Sequence, residues 1–214
     1  MIHTFSQYVE RTNETAVYPS GIIGKHYVAL GLVGEVGEVA NKVKKIIRGD
    51  IKLGLKIPDD MEDGISKTKL IADIEKANKF VEDISGEVGD IAWYLAQASK
   101  NLNIKITKIV HTNIIGNYVN EAMGPKPIED DLKILSVFVL QLMNEAIELA
   151  GFLLSSAKDY NKQNVKVCLS RNFSFIAAIS KYLKLDLEQI LNHNIEKLSD
   201  RKKRGVIKGS GDKR

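Results

Sequence analysis

Apolar residues recur at three- and four-residue spacing along most of the chain, and no alternating apolar–polar stretch exceeds a few residues, so the pattern predicts helices and no sheet. Four prolines, at 19, 58, 125 and 127, leave long uninterrupted segments. The spacing predicts helices over about 4–14, 25–48, 80–101, 105–121, 130–157, 165–184 and 186–203. The stretch 49–79 is broken by Gly49, Gly54, Pro58-Asp59-Asp60 and Gly64, and only 67–79 is able to begin a helix early. Met123-Gly124-Pro125-Lys126-Pro127 reads as a hinge, because each proline lacks the helical donor and biases its predecessor to extended geometry.

The chain also resembles itself. At an offset of 81, residues 90–114 lie over 171–195 with seven identities in 25: Ala96/Ala177, Ser99/Ser180, Lys100/Lys181, Leu102/Leu183, Ile109/Ile190, Asn113/Asn194 and Ile114/Ile195. At an offset of 110, residues 28–43 lie over 138–153, matching Leu30/Leu140, Leu32/Leu142, Glu35/Glu145, Glu38/Glu148 and Ala40/Ala150. The expected architecture is all-α: two tandem helical units, 1–122 and 128–214, on either side of the hinge at 123–127, packed as an internal pseudo-dimer. Chance similarity between amphipathic helices is the competing explanation of these matches.

With 214 residues, 44% hydrophobic and 27% charged, the composition is that of an ordinary globular chain, which excludes disordered and collagen-like classes. The longest apolar run, Ile134 to Met143, is interrupted by Gln141 and falls short of the ~18 residues a membrane span needs; with no signal-peptide pattern at Met1-Ile2-His3, a cytoplasmic protein is expected. The single cysteine, Cys168, forms no internal disulfide and reads as core. Charge changes the picture more. The net charge is +4, but Glu196–Arg214 holds eight Lys/Arg against three acids, so this tail carries +5 and the rest −1. Such a tail attracts phosphate or is simply solvated.

Glu35 and Glu38 stand at i and i+3, on one face of a helix. Val28, Leu32, Val39, Val43 and Ile46 form the apolar stripe; Glu35 falls within it, and Glu38, Lys42 and Lys45 line its edge. Glu35 is therefore expected to point inward, as the most inward of the acids, and to need a partner, a proton or a cation. Gly34 and Gly37 each cost about 1 kcal/mol in a helix, which suggests a close backbone approach there. Glu87 and Asp90 repeat the i, i+3 spacing, with Tyr94 one turn later. Either pair alone reads equally as a solvated face, but four acids on two facing helices make a divalent-metal cage. Its oxygen-only ligands suit Mg²⁺ or Mn²⁺, and the Glu-x-x-His pairs of di-iron bundles are missing from the sequence.

These residues resemble a family. Tyr18-Pro19, Leu30-Gly31-Leu32, Gly34-Glu35-Val36-Gly37-Glu38-Val39-Ala40, Lys42-Val43-Lys44-Lys45 and Glu87-Val88-Gly89-Asp90 with Trp93-Tyr94-Leu95 look like the MazG-like branch of the all-alpha NTP pyrophosphatases. Asn194-Ile195-Glu196-Lys197-Leu198, Arg201 and Arg204-Gly205-Val206-Ile207-Lys208-Gly209-Ser210-Gly211-Asp212 are similar to that family's C-terminal signature. Together they cover about half the chain. The resemblance implies Mg²⁺-dependent hydrolysis of a nucleoside triphosphate between the α and β phosphates, giving a monophosphate and pyrophosphate. It assigns Glu35, Glu38, Glu87 and Asp90 to the metal. Glu35 is the expected base, and Asn194, Lys197, Arg201 and Arg204 the expected phosphate or sugar contacts. Lys42, Lys45 and Tyr94 are further substrate candidates that serve equally as salt-bridge or packing residues, and Trp93 reads as core before it reads as a base-stacking group.

A typical member has one four-helix unit, whereas here the acid-rich helices and the basic signature lie about a hundred residues apart in sequence. In the second unit the positions of Glu87 and Asp90 hold Cys168 and Arg171, and in the first unit those of Lys197 and Arg201 hold Gly116 and Asn120. One composite site per chain follows as the expectation, with acids from the first unit and the phosphate clamp from the second. A homodimer of such chains would parallel the family's dimers of dimers. The rivals are a catalytically inactive helical interaction module of the same fold and a nucleic-acid binder. The latter is disfavoured by 7% aromatic content and no helix-turn-helix signature, and no stable nucleic-acid or membrane partner is expected.

Overall fold

The computed structural model describes residues 5–105, 128–156 and 160–206. These form six helices and no strand: α1 (Phe5–Thr15), α2 (Gly21–Ile47), α3 (Ile65–Asn101), α4 (Ile128–Leu154), α5 (Lys162–Tyr182) and α6 (Leu187–Lys203). The expected all-α class is what the chain adopts. The expected helix at 105–121, the hinge at 123–127 and the end of the basic signature, 207–212, lie outside the described residues.

Boundaries follow local chemistry. Asn161 and Asp186 cap α5 and α6 with their side chains, accepting from Gln163 N at 2.7 Å and from Glu188 N at 2.8 Å. The largest departure from the periodicity is α3, which begins at Ile65 rather than near residue 80. Between Ile65 and Ser85 there is no proline or glycine, and Lys, Glu, Ala and Ile supply enough helix propensity to carry a largely exposed segment without a regular apolar stripe. Thr68 Oγ1 and N both bond to the Gly64 carbonyl, and Lys76 Nζ reaches the Asp50 carbonyl at 3.1 Å, tying this exposed half to the loop before it.

One apolar core runs through all six helices. The broadest helix contact is α2 on α4; α3 packs beside α2, and α5 beside α4. α6 lies across α3, and α1 is held between α3 and α6. Polar bonds fix α1 and its following turn on α3: Gln97 Nε2 donates to Thr12 Oγ1 and Tyr18 OH to Gln97 Oε1, both at 2.9 Å, and Trp93 Nε1 donates to Thr15 Oγ1 at 3.1 Å. Trp93 is thus 7% exposed and committed to the core.

Residues Leu132–Leu154 of α4 are long and apolar enough, by length and composition, to cross a membrane, which the isolated run Ile134–Met143 did not suggest. In the fold, Leu135, Phe138, Val139, Leu142, Ala146, Leu149 and Leu153 of this helix are buried core residues, and its length serves packing against α2 and α5.

The ends of α3 and α5 match position for position at the offset of 81. Asn103 and Lys184 both take left-handed backbone, φ 54° and 58°. Ile104 N bonds Ser99 O at 2.9 Å, and Leu185 N bonds Ser180 O at 2.8 Å, so both helices close with the same terminal pattern.

Candidate metal and phosphate site

Three of the four predicted acids converge. Oxygens of Glu35 from α2 and of Glu87 and Asp90 from α3 lie within 4.8 Å of one another. The spacing of α2 turns Glu35 toward α3, and the i, i+3 pair on α3 turns both of its acids back. Glu38 lies outside this trio and is exposed: it is 60° further round α2, on the edge where the helix meets solvent. Its charge still reaches Glu35. The most inward carboxylate is Glu87, 4% exposed, rather than Glu35. Depth here depends on how many helices surround a position, and the second half of α3 is enclosed by α1, α2, α5 and α6.

Cations and amides surround the trio. Lys42 Nζ lies 3.1 Å from Glu87 Oε1. Lys197 Nζ of α6 bonds both Asp90 oxygens, at 2.7 and 2.9 Å, and Asn194 Nδ2 donates to Asp90 Oδ1 at 2.6 Å. Residues more than a hundred positions apart thus meet on one carboxylate, the juxtaposition expected of a composite site. Arg201, two turns after Asn194 on the same stripe of α6, is 6% exposed. Arg204 is turned outward instead and pairs with Asp200 at 2.7 Å, both side chains about half exposed, because at i, i+4 an acid on its own helix is the nearest partner. Lys45, one turn beyond Lys42, is half-buried and acts electrostatically on Asp50, in the loop after α2, rather than on the trio.

The electrostatics follow from crowding. Burial first, then the charges of Asp90 and Glu87, a hydrogen bond with Glu87 and the charge of Glu38 push the Glu35 carboxyl up to about 8. Tyr94 is raised by burial, by its bond with Tyr27 and by Glu35 and Asp90. Its ring lies against Gly31, where a Cβ would come within 2.2 Å of ring carbons. This corrects the sequence expectation for Gly34 and Gly37, where a Cβ would have nothing within 4 Å; the close approaches fall at Gly24, against the Pro19 carbonyl, at Gly31, and at Gly89, against Asn194. Tyr27 stacks on Tyr18 with centroids 5.1 Å apart and remains 42% exposed.

Sequence reasoning missed Tyr8. It is fully buried, donates to Asn194 Oδ1 at 2.9 Å with the Gly89 carbonyl at 3.2 Å, and so fixes the Asn194 amide with its nitrogen toward Asp90. Burial and then Asp90 raise its phenol well above the usual value, keeping it a donor. A lone tyrosine on a short amphipathic helix carries no spacing signal for partners 81 and 186 residues away.

An oxygen-only trio in which Glu35 faces two further carboxylates fits a hard divalent cation, which takes one or two carboxylates and completes its shell with water and phosphate oxygens. No family model matches the chain, and no solved structure matches it. It is similar to the Gene 37 protein of Mycobacterium phage L5, with 35% identity over 107 residues that make up 48% of this chain and 75% of that protein. A likeness of that extent over most of the phage protein means that the chain belongs to the family of the Mycobacterium phage L5 Gene 37 protein.

Proposed function

We propose that the chain is a Mg²⁺-dependent nucleoside triphosphate pyrophosphohydrolase of the MazG-like kind, acting in the cytoplasm. The observation that carries this reading is the meeting of Glu35, Glu87 and Asp90 with Asn194 and Lys197 at the junction of α2, α3 and α6. Carboxylates beside ammonium groups at one spot suit a substrate that is itself a polyanion and needs a cation. A bound Mg²⁺ supplies charge neutralisation at the phosphates and favours ionised Glu35. Glu87 and Asp90 would hold that cation, and Glu38 stands at the rim of the site. Glu35, ionised, accepts the proton of the attacking water. The water oxygen bonds to the α-phosphorus while the bond to the α–β bridging oxygen breaks, and pyrophosphate leaves with that oxygen. Lys197 and Lys42, paired here with Asp90 and Glu87, would be the ammonium groups offered to the non-bridging phosphate oxygens. Arg201 lies on the same stripe, and the open face of Tyr27 beside Tyr94 is suited to stacking on a base.

The two halves fit an internal pseudo-dimer, α2–α3 facing α4–α5. The broad α2–α4 contact and the shared terminal pattern at Asn103 and Lys184 support that reading.

Pyrophosphate release with Mg²⁺ from a panel of ribo- and deoxyribonucleoside triphosphates, comparing wild type with Glu35→Gln and Asp90→Asn, tests the proposal. Release from at least one nucleotide, lost in both variants, is expected. A folded wild type that releases none would favour the inactive helical module, in which Lys42 and Lys197 serve only to neutralise buried acids.

A further inference from the structure

A second cluster occupies the α4–α5 face. Glu145 and Glu148 stand at i, i+3 on α4, and Cys168 faces them from α5; one ligand atom of each lies within 4.8 Å of the others. Glu145 is 5% exposed and Cys168 1%, while Glu148 is open to solvent. The cluster also holds an unfilled position, at Glu145 Oε2. Among the described residues, the buried side-chain oxygens without a hydrogen-bond partner are Glu145 Oε2 and Asn172 Oδ1. Asn172 is fully buried one turn after Cys168, with its nitrogen 3.7 Å from the sulfur. A buried carboxylate oxygen left without a donor is unfavourable, so Glu145 Oε2 in a cluster with a thiol points to something that belongs there. Arg171 does not supply it: its guanidinium reaches only Glu145 Oε1, at 3.4 Å, and is half exposed.

We propose that Glu145, Glu148 and Cys168 form a second metal site, one that takes a borderline divalent ion of the zinc class. Two carboxylates and a thiolate are the donor set that prefers such an ion over Mg²⁺, in contrast to the oxygen-only trio of α2 and α3. Binding replaces the thiol proton with the metal: the S–H bond breaks, the sulfur lone pair goes to the ion, and one proton is released to solvent. The ion's two charges, with Arg171, balance two carboxylates and one thiolate. Glu145 Oε2 gains a partner, and exposed Glu148 provides the route in. Burial and the two carboxylates hold the Cys168 thiol in its protonated form until the ion arrives.

Cobalt is the probe. The full chain is titrated with Co²⁺ in excess Mg²⁺, and the near-ultraviolet thiolate-to-cobalt charge-transfer band is followed with proton release. Cys168 is the single cysteine, so that band reports this site alone. One equivalent per chain, one proton released and displacement by Zn²⁺ are expected. Glu148→Gln, at an exposed position, should weaken binding about tenfold or more. Cys168→Ser should lose the band, while Asp90→Asn keeps it. A folded wild type with no charge-transfer band, or a Glu148→Gln chain that titrates like wild type, overturns the proposal, whether or not Cys168→Ser folds.

Discussion

Glu35 and Glu38 on α2 and Glu145 and Glu148 on α4 carry the same i, i+3 spacing, and the helices facing them differ: α3 offers Glu87 and Asp90, whereas at the matching positions α5 offers Cys168 and Arg171. Glu87 and Glu145 are equally buried, at 4% and 5% exposed, yet their surroundings diverge. Glu87 has the Lys42 ammonium at 3.1 Å, and its neighbour Asp90 is held by Lys197 and Asn194. Glu145 has one half-exposed guanidinium at 3.4 Å and an oxygen with no partner. The acid-rich cluster is therefore compensated from elsewhere in the chain, from α2 itself and from the distant α6. The second cluster carries its own cation and thiol and lacks that outside support. Two helices can share one carboxylate spacing while the residues packed around them decide what chemistry the spacing serves.

The sharpest way to break this comparison is to neutralise the residues at the matching positions of the two facing helices, Asp90 on α3 and Arg171 on α5. Asp90→Asn is expected to lower Mg²⁺-dependent pyrophosphate release at least about 100-fold, since metal-held charge at phosphate is worth several kcal/mol, and Arg171→Gln to leave it unchanged. Equal losses in an initial-rate assay would mean that both clusters serve one reaction.

The next effect is pH dependence. Glu35 has an ordinary value of 4.5 and titrates at about 8 in the fold, so the folded chain holds an extra proton between those values. The cost of ionising it is absent below about pH 4.5, grows as pH rises and is complete above about pH 8, roughly 3 kcal/mol after discounting for partial exposure. Denaturant unfolding without divalent ions should show wild type losing this stability, relative to Glu35→Gln, between pH 5 and 9. Millimolar Mg²⁺ should restore it most at the alkaline end. A Glu35→Gln chain with the same pH profile as wild type would mean that the trio does not repel.

Glycine substitutions give smaller, opposite effects. Gly31→Ala puts a methyl 2.2 Å from the Tyr94 ring and is expected to cost about 1–3 kcal/mol in thermal unfolding. Gly34→Ala and Gly37→Ala, in open space on the same helix, should each stabilise by up to about 1 kcal/mol. The smallest effect compares the two helix ends. Lys184→Gly should stabilise by about 0.5–1 kcal/mol and Asn103→Gly by less, because asparagine already tolerates left-handed backbone.

Much of the fold is legible locally. Periodicity marks α1, α2, α4, α5 and α6 to within a few residues, because each buries an apolar stripe that recurs at helical spacing. It missed the first half of α3, where an exposed helix stands on propensity and carries no stripe to read. Of the site, the i, i+3 acids and the Asn194–Lys197 turn were visible as spacings, and the spacing placed each set on one face. Spacing also misled: it made Glu35 the most inward acid and assigned a close approach to Gly34 and Gly37.

By itself the sequence determined the helices, the faces their acids share and the excess of positive charge at its end, since those depend on neighbours within two turns. Only the tertiary structure decided that Lys197 and Asn194 meet Asp90, that Tyr8 orients Asn194, that Tyr94 rests on Gly31 and that Glu145 is left with an unpaired oxygen. Burial and charge compensation are set by which helices pass on the far side of a residue, and no periodicity within one helix records its neighbours.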